Sequence, residues 1–139
     1  MRVKEVMTSG AACVAPTSTL QEAARIMRDL DIGPLPVCEH KQLVGMITDR
    51  DITVRATADG RDPTTTKVAD VLTPTVVYCF DDQDVKEAAG LMTTNQIRRL
   101  VVLNHDKQLV GIVSLGDLAV ETGDERLSAR TLENVSLPG

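Results

Sequence analysis

The sequence contains the same five-residue segment twice, and this duplication restricts the folds that the chain can adopt. Residues 41–45 and residues 107–111 both read KQLVG. Each copy continues into an apolar run, then a hydroxyl residue, then an aspartate three positions beyond that hydroxyl. An identical run of five in a chain of 139 residues indicates internal repetition. We therefore expect two copies of one supersecondary unit.

The repetition extends upstream of this segment. Residues 6–37 align with residues 71–102 at a constant shift of 65 positions, and the shift becomes 66 at the KQLVG glycines. One residue is therefore inserted in the turn near His105, relative to the turn near His40. We predict repeat 1, with a lead-in helix and a linker, over residues 1–66. Repeat 2 is predicted over 67–123, and a polar C-terminal tail with a possible helix over 124–139.

Apolar periodicity predicts the elements of each repeat. In repeat 1, residues 12–15 favour a short strand, and Leu20, Ala23, Ala24 and Met27 have the spacing of one helix face that ends near Asp31. Residues 35–38 and 43–47 favour two antiparallel strands, and a helix is predicted from Thr48 to about residue 58. The predicted fold class is α+β: two β-α-β-β-α repeats packed sheet to sheet with pseudo-two-fold symmetry.

Composition excludes several classes of function. The chain has one Tyr, one Phe and no Trp, so its core must be aliphatic. A net charge of −5 gives no support for binding to nucleic acid or to a membrane surface. No stretch approaches the length of a signal or membrane-spanning segment, so we expect a cytoplasmic protein with no membrane partner. In that compartment the three cysteines are expected to be thiols.

Two matching motifs are the main candidates for binding chemistry. Thr48 with Asp51, and Ser114 with Asp117, each lie where a strand is predicted to turn into a helix. One interpretation is a capping box, in which hydroxyl and carboxylate satisfy free backbone N–H groups. The other is a ribose site, since a carboxylate can accept two hydrogen bonds from a vicinal diol. Recurrence at the same place in both repeats favours the ribose interpretation.

The segments that enter the second strand of each repeat are further candidates. Gly33 and Pro34 leave backbone groups and apolar side chains near the expected cleft, where they could contact a flat base. Arg98 and Arg99 are adjacent, so on a strand they point to opposite faces, and one could reach an anionic ligand. The alternative is that both arginines are solvated residues at the sheet edge.

These residues carry a resemblance to a known family. The duplicated β-α-β-β-α unit, Ile-Gly-x-Leu-Pro-Val at 32–37 and Gly-Met-Ile-Thr-Asp-Arg-Asp at 45–51 resemble a tandem pair of CBS domains (a Bateman module) of the stand-alone bacterial or archaeal type. The resemblance covers about residues 3–122. It implies two clefts between the repeats that bind an adenosine-containing regulatory ligand such as AMP, ADP or ATP.

The resemblance also implies roles for particular residues. Ribose would be bound by Thr48, Asp51, Ser114 and Asp117. Adenine would contact eight residues, namely Thr8, Ala12, Ile32, Gly33, Pro34, Thr73, Val77 and Ile97. Phosphate would meet Arg50, Arg98 and Arg99. Two departures make the clefts unequal: Gly33 supplies no charge where repeat 2 has Arg98, and Val101 replaces the usual proline. The sequence is therefore equally compatible with one occupied ligand site per chain and with two.

We accordingly predict a regulatory CBS-pair protein that senses energy or stress through an adenine nucleotide. No catalytic arrangement or metal-ligand spacing supports an enzyme, a catalytic cofactor or a metal site, and His40 and His105 are expected to be turn residues. We also expect a homodimer and a separate, unidentified protein partner. The alternative is a dimeric adaptor that binds no nucleotide, or a stress-response protein tuned through a possible disulfide between Cys13 and Cys38.

Overall fold

The computed structural model describes residues 1–122, which contain six strands and three α-helices. The predicted C-terminal tail and its possible helix lie outside the described residues. The elements, in chain order, are β1 (Thr8–Ser9), α1 (Leu20–Leu30), β2 (Pro34–Glu39), β3 (Gln42–Thr48), β4 (Tyr78–Phe80), α2 (Val85–Asn95), β5 (Arg99–Leu103), β6 (Leu109–Ser114) and α3 (Leu115–Thr122).

The chain divides into two compact units that exchange their lead-in segments. The first, which we call the Ser114 unit, consists of Met1–Ala11 together with the described residues 77–122. The second, the Thr48 unit, consists of Ala12–Val76. Each repeat is therefore grouped with the segment that precedes the other repeat in sequence. The predicted boundary at residue 66 follows the sequence repeats, whereas the compact units divide the chain at Ala11 and Val76.

The Ser114 unit contains a four-stranded sheet in the order β1-β6-β5-β4. Strands β4 and β5 are parallel and are joined through α2, as a parallel pair requires a crossover. Strands β5 and β6 form an antiparallel hairpin. The lead-in strand β1 then pairs with β6 and sets Thr8 opposite Ile112.

The Thr48 unit repeats this pattern with shorter edges. Its hairpin β2-β3 has a bulge between Val37 and Cys38, and the other hairpin has one at the matching residues Val102 and Leu103. The outer strands are reduced to single bridges: Val14 is parallel to Val37, and Met46 is antiparallel to Thr73. The strand predicted over 12–15 is thus only this bridge at Val14, since Pro16 follows almost at once and limits pairing.

Local signals explain where the helices begin and end. The Thr19 hydroxyl accepts from the N–H of Glu22 in a capping box, and Asp31 closes α1 in the left-handed region with φ 53°. The predicted end near Asp31 is confirmed. The helix predicted after Thr48 is different in kind, because residues Asp51–Thr57 form a π-helix. The predicted lead-in helices are only three-residue 3₁₀ turns, Val3–Glu5 and Val68–Asp70.

Each unit has its own aliphatic core. The Thr48 unit buries, among others, Leu20, Leu35, Val37, Ile47 and Val68. The Ser114 unit buries, among others, Val3, Met92, Leu100, Val102, Val113 and Leu118. Val3 and Val68 come from the exchanged lead-in segments and are fully buried. The expected aliphatic core and the mixed α+β fold class are confirmed.

The glycine of each KQLVG segment lies where the exchanged lead-in backbone comes closest to the sheet. A Cβ atom at Gly45 would lie 2.7 Å from the carbonyl oxygen of Thr73, and one at Gly111 would lie 2.7 Å from that of Thr8. Real Cβ atoms do not approach a backbone oxygen so closely. The repeated glycine is therefore a requirement of strand pairing with the lead-in segment.

Substitution of either glycine should test this requirement. We expect Gly45→Ala and Gly111→Ala each to lower the free energy of unfolding by about 1–3 kcal/mol, because the lead-in backbone must move away from the new methyl group. Urea unfolding followed by circular dichroism measures the change. Gly90→Ala is the matched control: it lies in α2 with nothing within 4 Å of its would-be Cβ. Gly90→Ala should raise the free energy of unfolding by up to about 1 kcal/mol, because alanine favours the helix more than glycine does. Equal effects at all three glycines would contradict the proposed steric requirement at Gly45 and Gly111.

Candidate functional site

Both predicted hydroxyl–carboxylate motifs form complete backbone boxes. The N–H of Thr48 donates to Oδ2 of Asp51 at 3.1 Å, and the N–H of Asp51 donates to the Thr48 hydroxyl at 3.0 Å. The N–H of Ser114 donates to Oδ2 of Asp117 at 2.8 Å, and the N–H of Asp117 donates to the Ser114 hydroxyl at 3.0 Å. The capping-box interpretation is therefore correct as far as it goes, and it fixes both carboxylates at the start of a helical segment.

The boxes leave part of each carboxylate for other contacts. Within residues 1–122, the hydrogen bonds accepted by Asp51 and Asp117 all go to Oδ2. The backbone therefore sets the carboxylate orientation through Oδ2, and Oδ1 takes no part in the box. A preoriented carboxylate oxygen of this kind suits the hydroxyl groups of a ligand.

Asp51 is further held by residues of its own unit. It is 9% exposed, and its Oδ2 accepts from the Thr73 hydroxyl at 3.5 Å. Arg55, one turn along, has Nη1 at 3.9 Å from Oδ1 of Asp51. Thr73 belongs to the lead-in segment of repeat 2, so the exchange of lead-ins brings it to the Thr48 motif. A mostly buried carboxylate thus has a backbone N–H, a hydroxyl and a guanidinium as partners.

The remaining predicted residues of the Thr48 unit separate into two groups. Pro34 lies opposite Thr48 in the β2-β3 register, and the carbonyl of Gly33 accepts from the N–H of Asp49 at 3.1 Å. These two residues therefore lie beside the motif. Ile32 and Ala12 are partly buried and pack against the apolar core of the unit, so packing already accounts for part of their surface.

The Ser114 unit has the corresponding arrangement. Arg99 lies opposite Ser114, and the carbonyl of Arg98 accepts from the N–H of Leu115 at 2.9 Å. Both arginine side chains are exposed. Two of the predicted adenine contacts, Val77 and Ile97, pack against the core. The exposed Thr8 is on β1, beside β6, the strand that ends in Ser114.

One residue of the site was missed by the sequence reasoning. Asp49 follows Thr48 directly, and a Cβ at Gly33 would lie 3.1 and 3.2 Å from its two carboxylate oxygens. Oδ1 of Asp49 also accepts from the N–H of Arg50 at 2.9 Å. The signal was available, because repeat 2 has Leu115 at this position and leucine carries no charge. Arg50, predicted to meet phosphate, has an exposed side chain next to this carboxylate.

Cys13 and Cys38 lie on neighbouring backbone segments. Cys13 precedes and Cys38 follows the residues of the Val14–Val37 bridge, and the N–H of Cys38 donates to the carbonyl of Val14 at 2.9 Å. Both cysteines are free, with Cys13 exposed and Cys38 buried, and their thiols are close enough to interact. Burial, with the nearby Cys13, raises the pKa of Cys38 to about 12. Burial also raises the pKa of Cys79, in the other unit, to about 11.

Other side-chain clusters of the described residues give no second site. Nε2 of His105 lies 2.6 Å from Oδ2 of Asp82, and the imidazole stacks on the Phe80 ring with centroids 4.6 Å apart. These two contacts explain why a histidine is present in this turn. Within residues 1–122 no group of three His, Cys, Asp or Glu side chains converges as a metal site. In the same range no helix is long and apolar enough to cross a membrane.

Comparison with known proteins gives a family match over most of the chain. The family model for the CBS domain matches residues 3–56 and 68–122. CBS domain-containing protein YhcV of Bacillus subtilis is 42% identical over 134 residues, covering 96% of this chain and 94% of that protein. Hypoxic response protein 1 of Mycobacterium tuberculosis is 37% identical over 117 residues, covering 84% of this chain and 81% of its own length.

Solved structures extend the comparison to ligands. A crystal structure of Hypoxic Response Protein I with two coordinated zinc ions has a TM-score of 0.77 at 36% identity, covering 86% of this chain and 97% of that one. CBS domain protein PAE2072 of Pyrobaculum aerophilum, complexed with AMP, has a TM-score of 0.74 at 26% identity, with 96% and 98% covered. The CBS domain pair of MJ0100, in complex with 5′-methylthioadenosine and S-adenosyl-L-methionine, has a TM-score of 0.73 at 27% identity. The match covers 88% of this chain and 96% of that one.

The structural role of the boxes can be measured separately from any ligand. We expect Thr48→Ala to lower the free energy of unfolding by about 1 kcal/mol, since the N–H of Asp51 loses its acceptor. Urea unfolding without added ligand is the measurement. Thr57→Ala, at an exposed position of the π-helix, is the control and should change the free energy by less than about 0.5 kcal/mol. A Thr48→Ala protein as stable as the control would show that the box carries no stability.

Proposed function

The chain belongs to the CBS-domain family, with two such domains in tandem, and we propose that it is a regulatory protein that binds an adenosine-containing ligand such as AMP, ADP or ATP. Ribose would be held at Asp51 in the Thr48 unit and at Asp117 in the Ser114 unit. Base contacts would come from the Gly33–Pro34 segment and, in the other unit, from the residues around Ile97. The exposed Arg98 and Arg99 would meet phosphate.

The observation that carries this proposal is the duplicated, preoriented carboxylate. Each aspartate is fixed by its backbone box through Oδ2, so that little conformational freedom is lost when Oδ1 meets a ligand. A vicinal diol can donate both hydroxyl protons to one carboxylate, and such charge-assisted hydrogen bonds are stronger than neutral ones. Helix capping alone does not require aspartate, because other residue types can satisfy the same backbone N–H groups. The recurrence of aspartate at the same position in both units therefore favours a further role.

The comparisons support the class of ligand. Two of the similar structures are complexes with AMP and with methylthioadenosine and S-adenosylmethionine, which share an adenosine group. These ligands share the base and the ribose and differ in the group attached at the 5′ position, which points to recognition of the base and the ribose. The proposed energy- or stress-sensing role goes further, because it requires that the bound ligand report on the adenylate or stress state of the cell.

The proposed action is regulation by binding, without chemistry on the ligand. A ligand that binds one conformation better than another shifts the population toward it, and this change can be transmitted to a partner. We therefore propose a protein that is not an enzyme, uses no catalytic cofactor, forms a homodimer and acts on a separate protein partner. A cytoplasmic location stays a prediction of the sequence.

Charge removal at the two aspartates tests the proposed binding. Asparagine can still accept the backbone N–H, so Asp51→Asn and Asp117→Asn should fold while losing the charge that the diol would meet. We expect each variant to lose about tenfold to a hundredfold in affinity at its own site, and the double variant to lose measurable binding. Isothermal titration with AMP, ADP, ATP and S-adenosylmethionine is the measurement, after a thermal-shift screen.

Asp59→Asn is the matched control for this experiment. Asp59 is exposed in the turn after the π-helix, so the variant changes net charge equally without touching the motif. Its affinity should equal that of the wild-type chain. Unchanged affinity in the double variant would remove the site assignment, and absence of binding by the wild-type chain would remove the function.

A second candidate function is a redox-tuned stress-response protein. The observation that favours it is the pair of free, interacting thiols of Cys13 and Cys38 on neighbouring backbone segments. A peroxide would remove two electrons and two protons from the pair, form one S–S bond and leave as two waters. The exposed Cys13 would react first, since the raised pKa of Cys38 keeps that thiol protonated at neutral pH.

Intact mass after hydrogen peroxide treatment tests this second function. We expect a loss of two hydrogen atoms that dithiothreitol reverses, because one bridge forms between Cys13 and Cys38. Cys79→Ser should keep the loss, whereas Cys13→Ser should remove it. Addition of oxygen atoms in place of the loss, or a loss that persists in Cys13→Ser, would exclude the pair as a dithiol switch.

A further inference from the structure

The two units carry opposite charges at the two ends of a matching backbone hydrogen bond beside their motifs. In the Thr48 unit the N–H of Asp49 donates to the carbonyl of Gly33, and in the Ser114 unit the N–H of Leu115 donates to the carbonyl of Arg98. In both units, therefore, the same backbone hydrogen bond links the residue after the motif's Thr or Ser to the residue that precedes the first strand of the hairpin. One unit has glycine and a carboxylate there, and the other has arginine and leucine.

The carboxylate of Asp49 occupies the space into which a side chain at residue 33 would extend. Both of its oxygens lie within 3.2 Å of the Cβ that Gly33 lacks. A side chain at residue 33 would therefore require this exposed carboxylate to shift by a few tenths of an ångström. In the Ser114 unit the counterpart of Asp49, Leu115, is 8% exposed, and the exposed Arg98 projects from the matching position. The charge reversal is therefore a paired exchange of two residues rather than the loss of one arginine.

Nearby cations do not reverse the difference. In the Thr48 unit the described ion pair of Arg55 is with Asp51, at 3.9 Å, and not with Asp49. Arg50 contributes its backbone N–H to Asp49, and its side chain is exposed. The Thr48 motif thus lies beside two carboxylates, of Asp49 and Asp51, with Arg50 and Arg55 near them in sequence, whereas the Ser114 motif has the single carboxylate of Asp117 and lies beside Arg98 and Arg99.

From this exchange we infer that the two sites take adenosine ligands of different charge. The Thr48 site binds an adenosine whose 5′ group carries no negative charge. A phosphate bound there would lie near the Asp49 carboxylate, which repels it, whereas at the equivalent place in the Ser114 unit Arg98 attracts a phosphate. The Ser114 site binds the phosphorylated form through charge-assisted contacts to its arginines. This inference rests on the proposed function and names the ligand class of each site. Asp49 and Arg98 are the residues that set the preference.

Adenosine and AMP differ only in the phosphate and are the probes that measure this preference. Each site is isolated by removing the other: Asp117→Asn leaves the Thr48 site, and Asp51→Asn leaves the Ser114 site. In the Asp117→Asn background, isothermal titration should give tighter binding for adenosine than for AMP. Adding Asp49→Asn should tighten AMP about tenfold, equivalent to about 1.4 kcal/mol, and leave adenosine within about twofold. The gain is of this modest size because the carboxylate is exposed and its field is screened.

The reciprocal experiment uses the Asp51→Asn background. There AMP should bind more tightly than adenosine, and Arg98→Gln should weaken AMP about tenfold with adenosine unchanged. Asp59→Asn, added to the Asp117→Asn background, is the control for net charge and should leave both affinities unchanged. A thermal melt of each variant establishes that it is folded.

The outcomes separate this inference from the proposed function. If the wild-type chain binds neither adenosine nor AMP, both are overturned. If it binds AMP, but the Thr48 site prefers AMP or does not respond to Asp49→Asn, only the inference is overturned and the proposed function stands. A vacant Thr48 site in the Asp117→Asn background would also overturn the inference, since that site is assigned a ligand of its own.

Discussion

The close approach of each lead-in backbone to a glycine on the last strand of a hairpin is the contact on which the rest of the structure depends. Met46 and Thr73 exchange two backbone hydrogen bonds of 2.8 Å, beside Gly45. The same edge of the other unit pairs Thr8 and Ile112, beside Gly111. A side chain at either glycine would separate the strands. These pairings therefore join each repeat to the lead-in segment of the other, and each of them lies within one compact unit.

The same edge also organises the candidate site. The strand that meets the lead-in segment ends at Thr48 or Ser114, so the hydroxyl–carboxylate box forms directly beyond the paired residues. Thr73 reaches Asp51 because it lies on the exchanged segment. Capping and the proposed ligand binding are therefore compatible uses of one aspartate: the box occupies Oδ2, so Oδ1 would remain for a ligand. A residue that stabilises the helical start would in this way also be preorganised for the proposed binding.

The two units share the repeated topology and a matching backbone hydrogen bond, but the residues beside their motifs differ in charge. The backbone bond between residues 33 and 49 is kept between residues 98 and 115, yet the side chains at its two ends exchange a carboxylate for a guanidinium. The bridged outer strands and the π-helix of the Thr48 unit are further differences, against a full four-stranded sheet and an α-helix in the Ser114 unit. Equal topology therefore does not imply equal ligands, because charge at the site varies without cost to the core.

The sequence alone was sufficient for what depends on local order. Repetition of KQLVG predicted the duplicated unit, and the spacing of Leu20 to Met27 predicted α1 with its end near Asp31, since these features follow from neighbours along the chain. The two hydroxyl–carboxylate motifs were likewise identified before their geometry was known. Only the tertiary structure decided which lead-in pairs with which repeat, why the glycine must recur, and that Asp49 fills the space beside Gly33. Those features depend on backbone approaches between residues far apart in sequence, and periodicity within one segment carries no information about such distances.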